Sequence, residues 1–282
     1  MNGIFDRSIK LPKCPKLNFE VELRTFYFGH FIFRKVYGLT KIYFYAIFIT
    51  KGGEKMNLYP ETIVFVRHAE SEGNLLSVEE RVRLCQGTNL YALTARGRVQ
   101  AMVTRRWLAE HFPNPDRIIR SYYRRVAETA DAIYPDLPKR EDERLAEANR
   151  GIWHVRTEAR IAIEAPFEID RRKFEGLYHY RPIGGENWPD IEGRIRSFRN
   201  SICKCYPNQT IVVVTHGFWL LLWQKLVHRW SIEEALEKYQ AGAVVDNASV
   251  LIYHGTVVKG RSVLTHDPAT DYIRPVPKLT IL

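Results

Sequence analysis

The sequence predicts an α/β protein, a three-layer α/β/α sandwich with a mostly parallel central sheet. Short apolar runs alternate along the chain with segments in which apolar residues recur at helical spacing. This alternation favours a parallel sheet that is covered by helices on both faces. Two of the runs, residues 64–66 and 211–214, are apolar throughout, which is typical of strands buried on both sides.

The first part of the domain supplies two helices around a short strand. Thr94 can cap a helix that stops near Pro113. The apolar pair at 118–119 predicts a strand. It is followed by a helical pattern that opens at Ser121 and stops at Pro135.

The second part continues the pattern. Apolar residues recur at helical spacing after Pro189 and again directly after His216, so we expect two helices with their apolar stripes in the core. The last strand is predicted over Ser249–His254, and Asn247 lies just before it.

Both continuous apolar runs end in a histidine. The first leads into Arg67-His68 and the second into Thr215-His216-Gly217. An open parallel sheet binds its ligands beyond the carboxyl ends of its strands, so we expect the two histidines in one pocket. Arg125, in the helical pattern after the short strand, is the best candidate for a second arginine on an anion held there.

The chain resembles the histidine phosphatase superfamily, the phosphoglycerate-mutase-like branch, over roughly Thr62–Tyr253. The matching motifs, in order, are Arg67-His68 with Glu70, Ser71 and Asn74; Gln86-Gly87 with Leu93-Thr94, Gly97 and Gln100-Ala101; Ser121 with Arg125 and Thr129; Leu145, Glu147, Gly151 and Trp153; and Thr215-His216-Gly217. Ala69 departs from the family pattern, in which a glycine is usual, and its methyl group should be tolerated unless the backbone needs a positive φ.

The resemblance implies a phosphohistidine mechanism. His68 would be the nucleophile, because a neutral imidazole attacks phosphorus readily and leaves a labile phosphohistidine. Arg67 and Arg125 would stabilise the charge on the transferring phosphoryl group, so that no metal ion or other cofactor is required. His216, Asn74 and Gly217 would complete the phosphate-binding set.

Glu147 occupies the position of the family's proton donor. It would protonate the leaving oxygen and then activate water. The carboxyl must be protonated when substrate binds, so either burial beside the substrate keeps it so near neutrality or the rate falls as pH rises. Glu128 is the fallback for this role.

The resemblance favours a phosphomonoesterase that hydrolyses a small phosphorylated metabolite. Related mutases carry Glu-Arg-His-Tyr-Gly around the acid, whereas this chain has Glu147-Ala148-Asn149-Arg150-Gly151. Mutase-type phosphotransfer and a non-catalytic regulator that binds phosphorylated ligands are the alternatives. A regulator has no need of both a nucleophile and an acid, which argues against it.

Substrate selection is expected in a cap formed by residues 154–186. The cap is basic, with aromatic residues interleaved. These residues are Arg156, Arg160, Arg171, Arg172, Lys173 and Arg181, with Phe167, Phe174, Tyr178 and Tyr180. They could read a second anionic or planar portion of the substrate, or they could be solvated charges over packed aromatic rings.

Residues 1–55 stand apart from the domain predicted over 56–282. They contribute 10 of the 42 Lys and Arg and 4 of the 32 Asp and Glu, so +6 of the net charge of +10 lies there. We expect these residues to lack a fold and Met56 to be the native start; a genuine amino-terminal extension is the alternative. The domain itself is then only mildly basic, and no nucleic-acid partner is required.

The remaining features favour a cytoplasmic protein. The apolar stretch 42–50 is too short to span a bilayer, so no transmembrane segment is expected. Four cysteines, at positions 14, 85, 203 and 205, form neither a zinc-binding pattern nor a dense disulfide framework. The sequence makes no prediction of oligomeric state.

Overall fold

The computed structural model describes residues 58–84, 86–259 and 261–275, together with the backbone of three strands that precede them. The chain divides into two compact units. One consists of residues 1–57 with 257–263, and the other of residues 58–256 with 264–282. All the predicted site residues lie in the second unit.

Three antiparallel strands lie in the amino-terminal segment, paired in the order β1-β2-β3. They are β1 (Leu23–Phe28), β2 (Phe31–Val36) and β3 (Tyr45–Phe48). Residues 1–55 were predicted from the sequence to lack a fold. Aromatic and β-branched residues dominate these strands, and the two residues between β1 and β2 match the commonest hairpin length. The predicted start at Met56 lies outside the described residues and stays a prediction.

Seven strands form the central sheet. They are β4 (Thr62–Arg67), β5 (Arg117–Arg120), β6 (Lys139–Glu141), β7 (Thr210–Thr215), β8 (Val250–Val258), β9 (Arg261–Thr265) and β10 (Tyr272–Ile273). Their order is β10-β8-β4-β7-β5-β6, with β9 paired to β8. Strands β4, β7, β5 and β6 run parallel to one another, whereas β8 pairs antiparallel with both β4 and β10. The predicted mixed α/β fold with a mostly parallel sheet is therefore confirmed.

Ten α-helices of the described residues surround this sheet. They are α1 (Glu72–Leu75), α2 (Val78–Leu84), α3 (Ala95–His111), α4 (Arg124–Ile133), α5 (Ile152–Val155), α6 (Glu158–Glu164), α7 (Pro166–His179), α8 (Trp188–Cys205), α9 (Gly217–His228) and α10 (Ile232–Gln240). Short 3-10 turns lie at Thr88–Leu90 and Glu143–Leu145. Within the described ranges, no helix is long and apolar enough to cross a membrane.

Alternate residues of β4 separate the core into two layers. Ile63 and Phe65 pack in a cluster that includes residues of α8 and α9. Val64 and Val66 pack in a second cluster, with residues of α3 and α4. All four side chains are fully buried, because both faces of the strand are covered. This burial explains the absence of polar residues from the run.

The predicted helix starts and stops agree closely with the structure. The Thr94 hydroxyl accepts a hydrogen bond from the backbone of Gly97 at 2.9 Å, and α3 ends one residue before Phe112. Helix α8 starts at Trp188, because Asn187 and Asp190 form a reciprocal capping box ahead of the predicted start. The last predicted strand, Ser249–His254, is longer in the structure and continues through a hairpin into β9.

The segment predicted as a cap contains α5, α6 and α7. Buried carboxylates accept hydrogen bonds that hold this segment in place. Glu168, fully buried, accepts hydrogen bonds from Tyr180 Oη and Arg171 Nη1, each at 2.6 Å. Glu192 of α8 accepts from Tyr178 Oη and pairs with Lys225 of α9, each at 2.8 Å. These contacts join α7 to the body of the domain.

Candidate active site

The two predicted histidines lie side by side at the carboxyl ends of neighbouring strands. Arg67, the last residue of β4, is in register with Thr215, the last residue of β7. The next residue on each strand is therefore a histidine at the same edge of the sheet. The rings of His68 and His216 are 5.3 Å apart between centroids, and both are buried.

The His68 ring is held as a neutral imidazole with its unprotonated nitrogen at Nε2. Its Nδ1 lies 2.7 Å from the carbonyl oxygen of Ala69, which can only accept, so Nδ1 carries the proton. Nε2 is then unprotonated, and it accepts a hydrogen bond from Arg125 Nε at 3.1 Å. Burial, followed by the charges of Arg125 and Arg67, lowers the pKa of His68 well below its ordinary value. This protonation state is the one a nucleophile requires.

Ala69, the departure from the family pattern, fits without strain. Its backbone lies outside the left-handed region, so the methyl group carries no conformational cost. Its amide donates to the hydroxyl of Thr129 at 3.1 Å. The residue is fully buried.

Arg125 is the link between the two histidines. It lies in the first turn of α4 and is 7% exposed. Besides the bond to His68, its guanidinium donates to His216 Nδ1 at 3.1 Å and to the carbonyl of Thr88 at 2.7 Å. No carboxylate of the described residues forms an ion pair with it, and burial lowers its pKa. A buried arginine that has no carboxylate partner favours the binding of an anion.

His216 is oriented by Arg125 on one side and Ser121 on the other. Because Nδ1 accepts from Arg125, Nε2 carries the proton and donates to the Ser121 hydroxyl at 3.0 Å. Burial, then the charge of Arg125, lowers the pKa of His216 well below its ordinary value. In this arrangement the imidazole supports the arginine, and the predicted donation from His216 to a phosphoryl oxygen stays a prediction.

Arg67 lies over the start of α9. Its Nη1 donates to the carbonyl of Val245 at 2.5 Å, and its buried Nε has no hydrogen-bond partner among the described residues. A Cβ atom built on Gly217 would lie 3.0 Å from both Cζ and Nε of Arg67. Cγ1 of Val244 would lie closer still, at 2.5 Å, so the glycine is required by the close approach of both side chains.

Asn74 lies in α1 and lines the same pocket. Its side-chain oxygen accepts from the backbone and the hydroxyl of Ser71, at 2.9 and 3.0 Å. This contact orients the amide so that its nitrogen remains available to a ligand. Asn247 holds the backbone at the site, donating to the carbonyl of His68 at 2.9 Å.

Glu147 lies on the loop after the 3-10 turn Glu143–Leu145. Its Oε1 accepts from the backbone amide of Ala148 at 3.0 Å, and its charge acts on both Arg67 and Arg125. Glu128, the fallback, is occupied elsewhere: it accepts from the Leu93 amide and from Arg124 Nε, each at 2.8 Å.

The residue that holds the Glu147 loop in place was not predicted from the sequence. Arg194 of α8 donates to the carbonyls of Arg144 and Ala146 at 2.8 and 2.7 Å, and pairs with Glu186 at 2.9 Å. Glu186 in turn accepts from the amide of Asn149 at 3.0 Å. Gly184-Gly185-Glu186 precedes α8 in the sequence, but no motif marks Arg194 itself.

A cavity of about 220 Å³ lies over His68. Among its lining residues are four arginines and one carboxylate, namely Arg67, Arg81, Arg125, Arg150 and Glu147; the others include His68, Asn74, Tyr91, His154 and Gly217. Such an excess of positive charge in a confined space favours a phosphate group. His216 does not line the cavity. Arg81, Tyr91 and His154 had not been predicted, since no motif marks them.

Most of the cap's charged residues are engaged with one another. Arg156 and Arg160 both pair with Glu164 at 2.9 and 2.5 Å. Arg171 pairs with buried Glu168, and Arg181 with Asp190. For these residues the structure supports the interpretation of paired or solvated charges. Arg172 differs, since it lies over the Trp153 ring, 4.5 Å from its centroid.

Comparisons with known proteins agree with this geometry. The family model of the histidine phosphatase superfamily (branch 1) matches residues 63–267. Phosphoserine phosphatase 1 of Hydrogenobacter thermophilus is 31% identical over 159 residues, which cover 55% of this chain and 70% of that protein.

A phosphoglycerate mutase-like protein of Arabidopsis thaliana is 25% identical over 198 residues, 63% of this chain and 60% of that protein, so the match spans less than two thirds of its length. Among solved structures, a mycobacterial glucosyl-3-phosphoglycerate phosphatase complexed with VO3 superposes with a TM-score of 0.56 at 25% identity. The match covers 73% of this chain and 97% of that one.

Proposed function

The chain belongs to branch 1 of the histidine phosphatase superfamily, and on this basis we propose that it hydrolyses a small phosphomonoester, without a metal ion, through a phosphohistidine on His68. One observation carries the proposal. The His68 Nε2 lone pair lies beneath an arginine-lined cavity of about 220 Å³, with Glu147 on the wall of the same cavity.

The first step transfers the phosphoryl group to His68. The Nε2 lone pair forms the N–P bond as the ester P–O bond breaks, and the leaving oxygen takes a proton from Glu147. In the free enzyme, Arg125 Nε donates a hydrogen bond to the His68 Nε2 lone pair at 3.1 Å. On binding, Arg125 must exchange its bonds to the imidazoles for bonds to phosphoryl oxygens, where its charge stabilises the transition state.

The second step releases phosphate. Glu147, now a carboxylate, takes a proton from water as the water oxygen attacks phosphorus and the N–P bond breaks. Inorganic phosphate leaves, and His68 returns to its neutral form. Burial of the ring supports this cycle, because it keeps the imidazole in its neutral form at about pH 7.

Hydrolysis is favoured over mutase chemistry by the surroundings of the acid. Asn149 stands where related mutases carry a histidine. Its side chain donates to the carbonyl of Gly184 at 3.0 Å and accepts from the amide of Gly151 at 2.9 Å. A side chain engaged in this way supports the loop and is not free to retain a phosphoglycerate.

Phosphate release tests the proposal. The full chain, in excess chelator, should release phosphate from at least one member of a panel of sugar phosphates, nucleotides, phosphoglycerates and an aryl phosphate. His68→Ala should abolish the release, whereas His111→Ala, on an exposed residue at the end of α3, should not change it. Release that persists in His68→Ala, or that requires an added divalent cation, would contradict the proposal.

A further inference from the structure

A second, larger cavity adjoins the first. It has a volume of about 350 Å³ and shares five lining residues with the cavity over His68, namely Glu147, Ala148, Arg150, Phe218 and Tyr239. Glu147 thus stands between the two spaces. This carboxyl would protonate the leaving oxygen. The group attached to that oxygen must therefore extend past Glu147 into the larger cavity.

Aromatic rings form one wall of this larger cavity. Trp188, Phe218 and Tyr239 pack edge to face around one another, with centroids 5.1 to 5.4 Å apart. Three such rings in mutual contact hold each other in fixed orientations. Their faces and edges give the cavity a rigid apolar surface, which suits a planar or apolar group.

Two further aromatic residues, Trp153 and Tyr180, line the cavity, and their polar atoms are already satisfied. Trp153 Nε1 donates to Tyr180 Oη at 2.7 Å, and that hydroxyl donates to buried Glu168 at 2.6 Å. The two residues therefore present ring surface to a ligand and not hydrogen-bonding groups. A sugar alone would leave its hydroxyl groups poorly paired against these walls.

Two arginines on the cavity wall have no ion-pair partner among the described residues. Arg150 reaches both cavities, and Arg172 lies over the Trp153 ring. Of the other charged groups on the wall, Arg156 shares Glu164 with Arg160, and Glu186 pairs with Arg194. Glu158 is the remaining carboxylate besides the acid Glu147. The uncompensated charge of the wall is positive once Glu147 is protonated.

We propose that this larger cavity binds a leaving group that combines a planar ring with a negative charge. The ring packs against the aromatic residues that line the cavity, and the anionic group is bound by Arg150 and Arg172. Substrates of this class are phosphomonoesters of ring-bearing acids, larger than a simple sugar phosphate. The inference rests on the proposed function, since it takes Glu147 as the proton donor.

A graded series of three esters tests each part of this inference. Ribose 5-phosphate, uridine 5′-monophosphate and orotidine 5′-monophosphate share the same primary ester. The second adds a planar ring, and the third adds a carboxylate to that ring. We expect kcat/KM to rise by about tenfold at the first step and about fivefold at the second, as expected for ring burial and for a hydrogen-bonded charge at a part-exposed site.

Variants locate the effect. Arg150→Gln and Arg172→Gln should each lower the preference for orotidine over uridine monophosphate towards one. Arg160→Gln is the matched control, because Arg160 is an exposed cap arginine that lines neither cavity, and it should keep the preference. Equal or faster turnover of ribose 5-phosphate, or an unchanged preference in both wall variants, would overturn the inference.

Binding separates failure of the inference from failure of the proposed function. Calorimetry on His68→Ala ranks the affinities of the same three esters whether or not they are turned over. The expected ranking without turnover by the wild-type protein would contradict the proposed function and keep the inference. Turnover without the ranking would do the reverse.

Discussion

Replacement of Arg125 by methionine should separate activity from stability. The guanidinium makes three hydrogen bonds, to His68, His216 and Thr88, and would move to phosphoryl oxygens during transfer. Loss of a preorganised, desolvated donor of this kind costs about 3–4 kcal/mol in the transition state, roughly 10²–10³ in kcat/KM. Steady-state kinetics on any ester that is turned over measures the loss.

The same substitution should move the pH profile in a definite direction. Arg125 is the second cause, after burial, of the lowered pKa of His68. Without it the pKa rises, but burial and Arg67 keep it below the ordinary value. Because only neutral His68 attacks, the acid limb of kcat/KM should shift to higher pH. Arg125→Lys keeps the charge but not the planar fork, so the limb should stay in place while the rate falls.

Stability should respond in the opposite sense to activity. Arg125 forms no ion pair with a carboxylate of the described residues and is buried, so its removal relieves the cost of a buried charge and offsets the loss of its three hydrogen bonds. Thermal unfolding of Arg125→Met should show an unchanged or raised midpoint. A lowered midpoint with full activity, or an acid limb that moves to lower pH, would refute the reasoning.

Three further perturbations test other parts of the site and fold. Gly217→Ala places a Cβ 3.0 Å from the Arg67 guanidinium, so kcat/KM should fall by about tenfold or more; Gly193→Ala, where a Cβ meets nothing within 4 Å, is the control, and equal activity in both would contradict the steric argument. Glu147→Gln should lower kcat/KM for alkyl phosphates by about 10²–10³ but spare kcat/KM for 4-nitrophenyl phosphate, whose leaving group needs no proton, while kcat falls on both because the second step still needs the base; an equal loss of kcat/KM on both esters would argue against the acid role. Lys225→Met removes the 2.8 Å partner of Glu192, which is 3% exposed and keeps Arg196 as its other ion-pair partner, so the change should cost about 2 kcal/mol and lower the unfolding midpoint by several degrees; an unchanged midpoint would show that the pair does not stabilise the fold.

The sequence was sufficient for the parts of the site that depend on local pattern. Continuous apolar runs marked β4 and β7 as buried parallel strands, and parallel strands align their carboxyl ends. His68 and His216 could therefore be placed together from the sequence alone. The same logic held for Arg125, which lies just beyond the end of β5.

Contacts between distant side chains were beyond the sequence. The orientation of His216 depends on Ser121 and Arg125, which belong to another segment. Arg194 reaches the Glu147 loop from the middle of α8, and a helical arginine carries no local sign of such a role. The walls of the larger cavity also come from separate segments, so no motif could reveal them.

The amino-terminal segment shows a different limitation of pattern analysis. Its strands are short, and their apolar residues do not alternate regularly with polar ones. Strand pairing within a hairpin is decided by the connection and by cross-strand contacts as much as by periodicity. The two-residue spacing between β1 and β2 was the available signal.

Detection of the covalent intermediate tests the central claim most directly. The protein would be mixed with an ester that it turns over, quenched in alkali during turnover, and mapped by mass spectrometry. We predict a phosphoryl group on the peptide that contains His68, attached to the imidazole, and none in His68→Ala. Turnover with no phosphorylated histidine, or with the label on another residue, would contradict the account.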